Sequence, residues 1–275
     1  NPLAMMNPVI EPPGPKLRQG LTELGPGESW LIAPEQRDDT GRLWSPGVRT
    51  GVSAGSTFHQ TEYFGPILGI MTAKNLDEAL AYQNGVDYGL TAGIHSLDPD
   101  EVSYWLERVE AGNVYVNRGI TGAIVRRQPF GGWKKSSVGP TAKAGGPNYL
   151  FGFGELSRAR ATITPVEQSA GDPWHAVVGA ASSHLSDDER EGLLRCLADD
   201  ATHWAEHFGA SVDVSQVGVE RNVFRYRAHE AVFRASSWTP LADLLRVVLA
   251  GLRTGSRVTL STSDGLPDTV LALLS

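Results

Sequence analysis

The chain has 275 residues, of which 41% are hydrophobic, so it has enough apolar material for about two globular domains. Its formal net charge of −7 argues against a nucleic-acid partner, and its single cysteine excludes an internal disulfide framework. The single cysteine fits a reducing compartment, which predicts a cytoplasmic protein. No apolar run reaches the roughly 18 residues of a membrane-spanning helix, so no membrane partner is predicted.

The first half of the chain alternates between strand and helix signals. Three short apolar runs predict strands, at residues 67–72, 91–95 and 114–116. The first intervening helix opens at Asn75. The second begins at Asp98, which is followed by Pro99 and then by Glu101, and Gly112 ends it. This order of strands and helices predicts a parallel α/β fold.

The second half repeats the alternation after a stretch at residues 164–173 that has the composition of a linker. Ser186 and Glu189 form a capping-box pattern, and the helix behind them extends to about Phe208, with Trp204 and Phe208 on its buried face. Three further strands are predicted, at residues 222–226, 231–235 and 258–261. The helix between the last two is capped by Thr239, which gives a second βαβ pattern without a phosphate-binding glycine motif.

Two segments of the first half have the composition of ligand sites. Glu62 is a lone carboxylate ahead of the first predicted strand, and a carboxylate is costly to desolvate unless something pairs with it. Thr121, Gly122 and Ala123 form a loop of small residues, whose successive N–H groups make a concavity suited to an anion. The simpler alternatives are a solvated loop residue for Glu62 and a plain glycine turn for the loop.

Taken together, these segments resemble the aldehyde dehydrogenase superfamily. Within it the chain is most similar to the L-glutamate γ-semialdehyde (1-pyrroline-5-carboxylate) dehydrogenases, notably the dehydrogenase module of bifunctional proline utilization A proteins. The matching segments are Glu-Tyr-Phe-Gly-Pro at 62–66, Gly-Asn at 112–113, Gly-Ala-Ile-Val at 122–125, Gln-Pro-Phe-Gly-Gly at 128–132 and Lys-Ala-Gly-Gly-Pro-Asn-Tyr at 143–149. The resemblance implies that residues 1–157, with an oligomerisation-type tail to about 165, are the C-terminal part of an aldehyde dehydrogenase catalytic domain.

The resemblance implies NAD as the cofactor. The Glu62 carboxylate would accept the two hydroxyl donors of the nicotinamide ribose. Phe64, which an extended segment places on the same side as Glu62, would supply an apolar wall to the nicotinamide. Ordinary core packing is the alternative for Phe64.

The resemblance also assigns a substrate, glutamate semialdehyde. Thr121, Gly122 and Ala123 would anchor its α-carboxylate, and Phe130 would lie beside its alkyl chain. Arg126 departs from the glycine that related modules often carry and adds a cation near this loop.

No catalytic residue is predicted within the chain. The family chemistry requires a cysteine nucleophile, whereas Cys196 lies in a helix without a glycine-rich loop, as is typical of a small hydrophobic residue. The resemblance therefore implies that the nucleophile, the general base and most of the cofactor domain precede Asn1. We expect the chain to be an inactive fragment of an enzyme that forms a homo-oligomer at full length.

Residues 166–275 resemble, less specifically, the C-terminal domain of longer proline utilization A proteins, which is Rossmann-like and non-catalytic. The similarity lies in residues 220–227 and in the helix that follows Pro240. This architecture implies an FAD-dependent proline dehydrogenase module further upstream, and we expect the accessory domain to be truncated.

Two pairs of basic residues are predicted to have no ligand. His203 and His207 have the spacing of metal ligands on a helix, but no third ligand is in view, so no metal site is predicted. Lys134 and Lys135 are interpreted as a solvated loop rather than a phosphate site. For the whole chain, the alternative functions are a non-catalytic scaffold module of the same fold and a dehydrogenase for another aldehyde.

Overall fold

The computed structural model describes residues 7–124, 127–137, 143–155, 157, 172, 174–262, 268 and 272. The chain divides into two compact units, Asn1–Gly154 and Glu155–Ser275, and each is described by itself.

The described residues of the first unit form short strands, four α-helices and a 3-10 helix at Tyr149–Phe153. The helices are α1 (Pro15–Thr22), α2 (Thr57–Gln60), α3 (Leu76–Asn84) and α4 (Pro99–Arg108). The strands are β1 (Ser29–Ile32), β2 (Gly47–Thr50), β3 (Ile67–Gly69), β4 (Tyr88–Gly89), β5 (Thr91–Ile94), β6 (Asn113–Val116) and β7 (Trp133–Lys134). In one sheet, β2 pairs antiparallel with β1 and parallel with β3. Elsewhere β4 pairs antiparallel with β7, and β5 pairs parallel with β6.

The predicted helix starts of the first unit are confirmed. Asn75 accepts a hydrogen bond from the amide of Glu78, and Asp98 accepts hydrogen bonds from the amides of Asp100 and Glu101. These side chains satisfy amides that have no partner within the helix. The α4 crossover between the parallel strands β5 and β6 confirms the α/β class. The strand β3 pairs with β2 instead, and the sequence pattern predicted no strand at β2.

The prediction that Gly112 ends α4 is wrong. The helix ends at Arg108, where the Val109 amide donates to the carbonyl of Trp105 at 2.9 Å. Gly112 is needed for a different reason: a Cβ atom built on it would lie 1.9 Å from the carbonyl oxygen of Gly131. Its missing side chain lets two backbone segments approach each other closely.

The core of the first unit lies between α3, α4 and the parallel pair of strands. Its buried side chains are Leu80, Ala92, Trp105, Val109 and Ala111. The Trp105 indole N–H donates to the side chain of Gln83 at 2.8 Å, so the buried ring also satisfies its polar group. This packing fixes the carboxyl end of β6, from which the glycine-rich loop departs.

The second unit packs helices around a parallel β-pair. It contains α5 (His175–Ala180), α6 (Asp187–His203), β8 (Ala231–Ala235), α7 (Leu241–Arg253) and β9 (Val258–Thr262), with β8 parallel to β9. The predicted βαβ element is thus confirmed. Its main core consists of Val177, Val178, Ala181, Leu193, Leu197, Leu245 and Leu249. The capping box of α6 is present, with the amide of each of Ser186 and Glu189 bonded to the other's side chain.

Three predictions about the second unit are wrong. Residues 222–226 form no strand, since Phe224 makes only an isolated bridge to Val212. Thr239 does not cap α7, because its hydroxyl accepts the Ser236 amide in the preceding turn. Phe208 is 43% exposed, because a π-helical turn at Trp204–Phe208 changes the periodicity at the end of α6.

Asp172 also has a role that its linker-like neighbourhood did not indicate. Its nearly buried carboxylate pairs with Arg253 at the end of α7 and accepts the amide of Trp174 at 3.0 Å.

In the part of the chain that the structure describes, no helix is both long and apolar enough to cross a membrane.

Candidate functional site

An open groove of about 380 Å³ lies beside the segment that precedes β3. It is lined by Phe58, Thr61, Glu62, Tyr63, Phe64, Gly65 and Ile67. Glu62 and Phe64 therefore line one groove. The sequence analysis expected this because it took the segment to be extended, and that reason is wrong. The segment is not extended, because Phe64 has φ +50°, in the left-handed region.

Tyr63 anchors this segment between Glu62 and Phe64. Its buried ring stacks on Phe58 of α2, with ring centroids 4.9 Å apart. Helix α1 packs behind it so closely that a Cβ atom on Gly20 would lie 2.5 Å from the Tyr63 ring. A Cβ atom on Gly65 would lie 2.3 Å from Leu17 of the same helix. Both contacts fix the backbone from which Glu62 and Phe64 extend.

Phe64 combines a strained backbone with an exposed side chain. The left-handed conformation costs a non-glycine residue about 1–2 kcal/mol, and Phe64 is 82% exposed. Packing within the first unit therefore does not explain why a large aromatic residue stands here. Backbone strain of this kind is concentrated at ligand sites, and an aromatic face open to the groove is consistent with such a site.

The groove residues fit the nicotinamide-ribose end of NAD. Among the described residues, no group donates a hydrogen bond to the Glu62 carboxylate or forms an ion pair with it. An ionised carboxylate can accept both hydroxyls of a vicinal diol, and the Phe64 ring offers an apolar surface to a flat heterocycle. The assignment of Glu62 and Phe64 to cofactor binding stays a prediction.

The loop of Thr121, Gly122 and Ala123 follows the carboxyl end of β6. Ligands of open parallel sheets bind outside this end of the strands. All three residues are exposed. Apart from its two chain neighbours, no atom of the described residues lies within 4 Å of a Cβ atom built on Gly122, which has φ +84°. Residues 125 and 126, which include the unusual Arg126, lie outside the described residues.

Asn117 joins the ends of the parallel strands at the base of this loop. Its side chain donates to the carbonyl of Ser96 at 2.8 Å and accepts the amide of Ser96 at 2.9 Å. This pair of hydrogen bonds fixes the point at which the loop leaves the sheet.

Phe130 lies in a backbone bridge that the sequence analysis did not predict. Phe130 and Ala144 exchange two backbone hydrogen bonds, of 3.0 and 2.9 Å. The side chain of Asn113 supports the same turn, since it donates to the carbonyl of Pro129 and accepts the amide of Gly131. Phe130 remains 36% exposed. Its role beside the substrate stays a prediction.

Lys143 holds this turn against the start of β6. Its ammonium donates to the carbonyls of Gly112 and Gly131 at 2.6 and 2.5 Å. Burial lowers the pKa of Lys143 to about 8. Sequence reasoning assigned no role to Asn113 or Lys143, although both lie in the segments that carried the family resemblance.

The basic pairs considered earlier have intramolecular partners. Lys134 pairs with Glu110 at 2.6 Å and also donates to the last carbonyl of α3, whereas Lys135 pairs with Asp87 at 2.5 Å. A hydrogen bond to the backbone of Asp199, together with its carboxylate, raises the pKa of the exposed His203.

Within the described residues, no group of three or more His, Cys, Asp or Glu side chains could hold a metal ion. Cys196 lies half-buried on α6 of the second unit, whereas the groove and the loop both belong to the first unit.

Comparisons with known proteins agree with the resemblance. The chain is 38% identical over 147 residues to the 1-pyrroline-5-carboxylate dehydrogenase of Geobacillus sp. (strain WCH70), covering 53% of this chain and 28% of that protein. It is 36% identical over 152 residues to the enzyme of the same name from Bacillus subtilis (strain 168), covering 55% of this chain and 29% of that protein. The chain thus spans less than a third of these relatives.

A solved structure matches both units. Proline utilization A from Corynebacterium freiburgense is 45% identical with a TM-score of 0.80, and the match covers 96% of this chain and 26% of that protein. The aldehyde dehydrogenase family itself matches residues 5–156, which is more than half of the sequence. The chain therefore belongs to the aldehyde dehydrogenase family.

Proposed function

We propose that this chain forms part of the active site of an NAD-dependent L-glutamate γ-semialdehyde dehydrogenase, which oxidises the aldehyde to glutamate in proline catabolism. The observation that carries the proposal is the groove of the first unit, with an unpartnered carboxylate at Glu62 beside the exposed ring of Phe64. The relatives named 1-pyrroline-5-carboxylate dehydrogenase support the choice of substrate.

The groove residues position the cofactor. Glu62 would hold the nicotinamide ribose by accepting hydrogen bonds from its hydroxyls. Phe64 would offer an apolar surface to the nicotinamide. NAD, when bound, accepts the electrons that the aldehyde loses. Cys196, half-buried on α6, is not assigned as the nucleophile, since a half-buried helical cysteine behaves as a small hydrophobic residue. The chain spans less than a third of its curated relatives, and the nucleophile is assigned to the part of the enzyme that this chain does not cover.

The substrate is held at its opposite end by the loop after β6. Backbone N–H groups at Gly122 and Ala123 donate to the α-carboxylate, and Thr121 completes the loop. Phe130 packs beside the alkyl chain. Binding energy from this remote anchor positions the aldehyde for attack, so it contributes to turnover as well as to affinity.

The second unit is proposed to be a non-catalytic accessory domain. The match to proline utilization A extends through most of this unit, which supports the assignment. From the family resemblance alone, we propose that the full-length protein carries an FAD-dependent proline dehydrogenase module and forms a homo-oligomer.

The cofactor assignment is tested by Glu62→Gln in the full-length protein. Loss of hydrogen bonds to a charged acceptor should raise the dissociation constant of NAD by about tenfold or more. Glu107→Gln, on the exposed face of α4, is the matched control and should leave NAD binding unchanged. Calorimetry measures both constants. An unchanged affinity and rate for Glu62→Gln would remove the groove from the cofactor site.

The substrate assignment is tested by Gly122→Val. A β-branched residue is strained at φ +84°, and its side chain extends into the space proposed for the carboxylate. The value of kcat/KM should fall by on the order of tenfold or more for glutamate semialdehyde, with a much smaller change for an aliphatic aldehyde of similar length. An equal loss for both aldehydes would mean that the loop has only a structural role.

A further inference from the structure

Arg49 of β2 is a buried cation with an unusual set of contacts. Only 2% of its side chain is exposed, and its guanidinium donates to the carboxylate of Glu28 at 2.7 Å and to the carbonyl of Gly20 in α1. Its flat face also lies over two aromatic rings, 4.6 Å from the centroid of Trp30 and 3.9 Å from that of Phe58. A planar guanidinium can form hydrogen bonds at its edge and stack through its face, which a lysine ammonium cannot do.

These contacts lead directly to the segment that carries Glu62. The Phe58 ring under Arg49 stacks on Tyr63 with an interplanar angle of 23°. Gly20, whose carbonyl accepts a hydrogen bond from Arg49, also packs against Tyr63, since a Cβ atom built on it would lie 2.5 Å from the ring. Arg49 therefore contacts both the Phe58 ring and Gly20, the two groups that pack against Tyr63. Tyr63 in turn lies between Glu62 and Phe64 in the chain.

A gain in stability does not explain why the Arg49 guanidinium is buried. Apolar residues of similar volume often stabilise a protein as well as a buried ion pair does, because desolvation offsets the attraction. A charged group that bonds and stacks in fixed directions does determine geometry, because its partners have to occupy defined positions.

We propose that Arg49 is a positioning residue for the cofactor: through Phe58 and Tyr63, it holds the Glu62 carboxylate and the Phe64 ring in the arrangement that binds the nicotinamide ribose. This inference rests on the proposed function of the groove. Arg49 itself does not line the groove.

The test uses Arg49→Lys in the full-length protein. Lysine keeps the charge beside Glu28 but loses the planar stack on Phe58 and the second donor to Gly20. The dissociation constant of NAD should rise by on the order of fivefold or more, while the KM for the aldehyde stays unchanged. Arg108→Lys is the matched control, since the guanidinium of Arg108 stacks on the ring of Tyr104 at 3.6 Å, on α4. It should change neither constant.

Hydrogen exchange supplies a measurement that does not depend on the cofactor. In Arg49→Lys, amides of residues 61–67 should exchange faster, including the Ile67 amide, which donates to Gly65 at 2.8 Å. Amides of α4 should be unaffected. If Arg49→Lys does not fold, Phe58→Leu tests the same path, because it removes the stack and leaves the Arg49–Glu28 pair in place. Because Phe58 itself lines the groove, the measurement that counts for this variant is hydrogen exchange, which should be faster at residues 61–67 as in Arg49→Lys.

The possible outcomes separate the two proposals. If Glu62→Gln leaves NAD binding unchanged, the proposed cofactor site fails, and exchange at residues 61–67 still decides whether Arg49 positions this segment. Unchanged exchange and unchanged NAD affinity in Arg49→Lys would overturn the inference. A rise in the aldehyde KM equal to the rise for NAD would also overturn it, because that result indicates a general loss of structure.

Discussion

Replacement of Gly112 by alanine should be among the most damaging single-methyl changes in the first unit. The added Cβ atom would lie 1.9 Å from the Gly131 carbonyl oxygen and 2.6 Å from the Gly132 Cα atom. Both obstacles are backbone atoms, which a rotamer change cannot move. An unstrained carbon–oxygen contact needs about 3.3 Å, so the two segments would have to separate by roughly 1.4 Å.

The free-energy cost of this separation can be estimated from the hydrogen bonds that the Gly131 backbone makes. The Gly131 carbonyl accepts the Lys143 ammonium, and the Gly131 amide donates to Asn113 at 3.1 Å. Weakening two such hydrogen bonds costs about 2 kcal/mol, and overpacking adds about 1–3 kcal/mol. We expect Gly112→Ala to lose about 3–5 kcal/mol of unfolding free energy, which lowers the melting temperature by roughly 6–20 °C for a unit of this size.

Gly119→Ala is the control for this substitution. Apart from its chain neighbours, no atom in the described part of the chain lies within 4 Å of a Cβ atom on Gly119, so the stability of this variant should change by less than about 1 kcal/mol. Urea denaturation of the 275-residue chain, followed by tryptophan fluorescence, compares the two variants with the wild type. Equal midpoints for Gly112→Ala and Gly119→Ala would refute the reasoning.

Asp98→Ala removes the N-cap of α4 and should cost about 1 kcal/mol in urea denaturation, and a loss below about 0.3 kcal/mol would contradict the capping role. Arg253→Met leaves the Asp172 carboxylate buried without its cation and should cost about 3 kcal/mol or more, whereas Arg257→Met, in an exposed pair, should cost less than about 1 kcal/mol. Burial lowers the pKa of Lys143 from 10.5 to about 8, so the unfolded chain binds more protons between these two values. The unfolding free energy of the wild type should therefore increase relative to that of Lys143→Met as the pH rises through this range. A difference between the two that is constant with pH would argue against a lowered pKa for Lys143.

Local signals predicted the parts of the fold that depend on neighbouring residues. The capping residues Asn75, Asp98 and Ser186 were identified correctly because an N-cap bonds amides only two or three positions away. Gly112 was misinterpreted because its reason is a contact with Gly131, 19 positions further along the chain, which no local pattern encodes. The β2 strand was missed for the same reason, since its role depends on its sheet partners.

In the candidate site, too, local motifs were informative and contacts between distant segments were not predicted. Family motifs identified Glu62 and the loop at Gly122, yet gave no indication of the left-handed backbone at Phe64. The supporting groups, Arg49 and Lys143, act through contacts that join distant segments. Spacing in the sequence could not place them, because their partners are fixed only once the chain has folded.

The backbone and the side chain at position 64 favour different amino acids. Glycine or asparagine would occupy φ +50° with less strain, so a library selected only for folded protein should be enriched in these residues at this position. A library selected for NAD binding should retain an aromatic ring. The difference between the two selections would measure how much stability the first unit gives up to keep Phe64 in the groove.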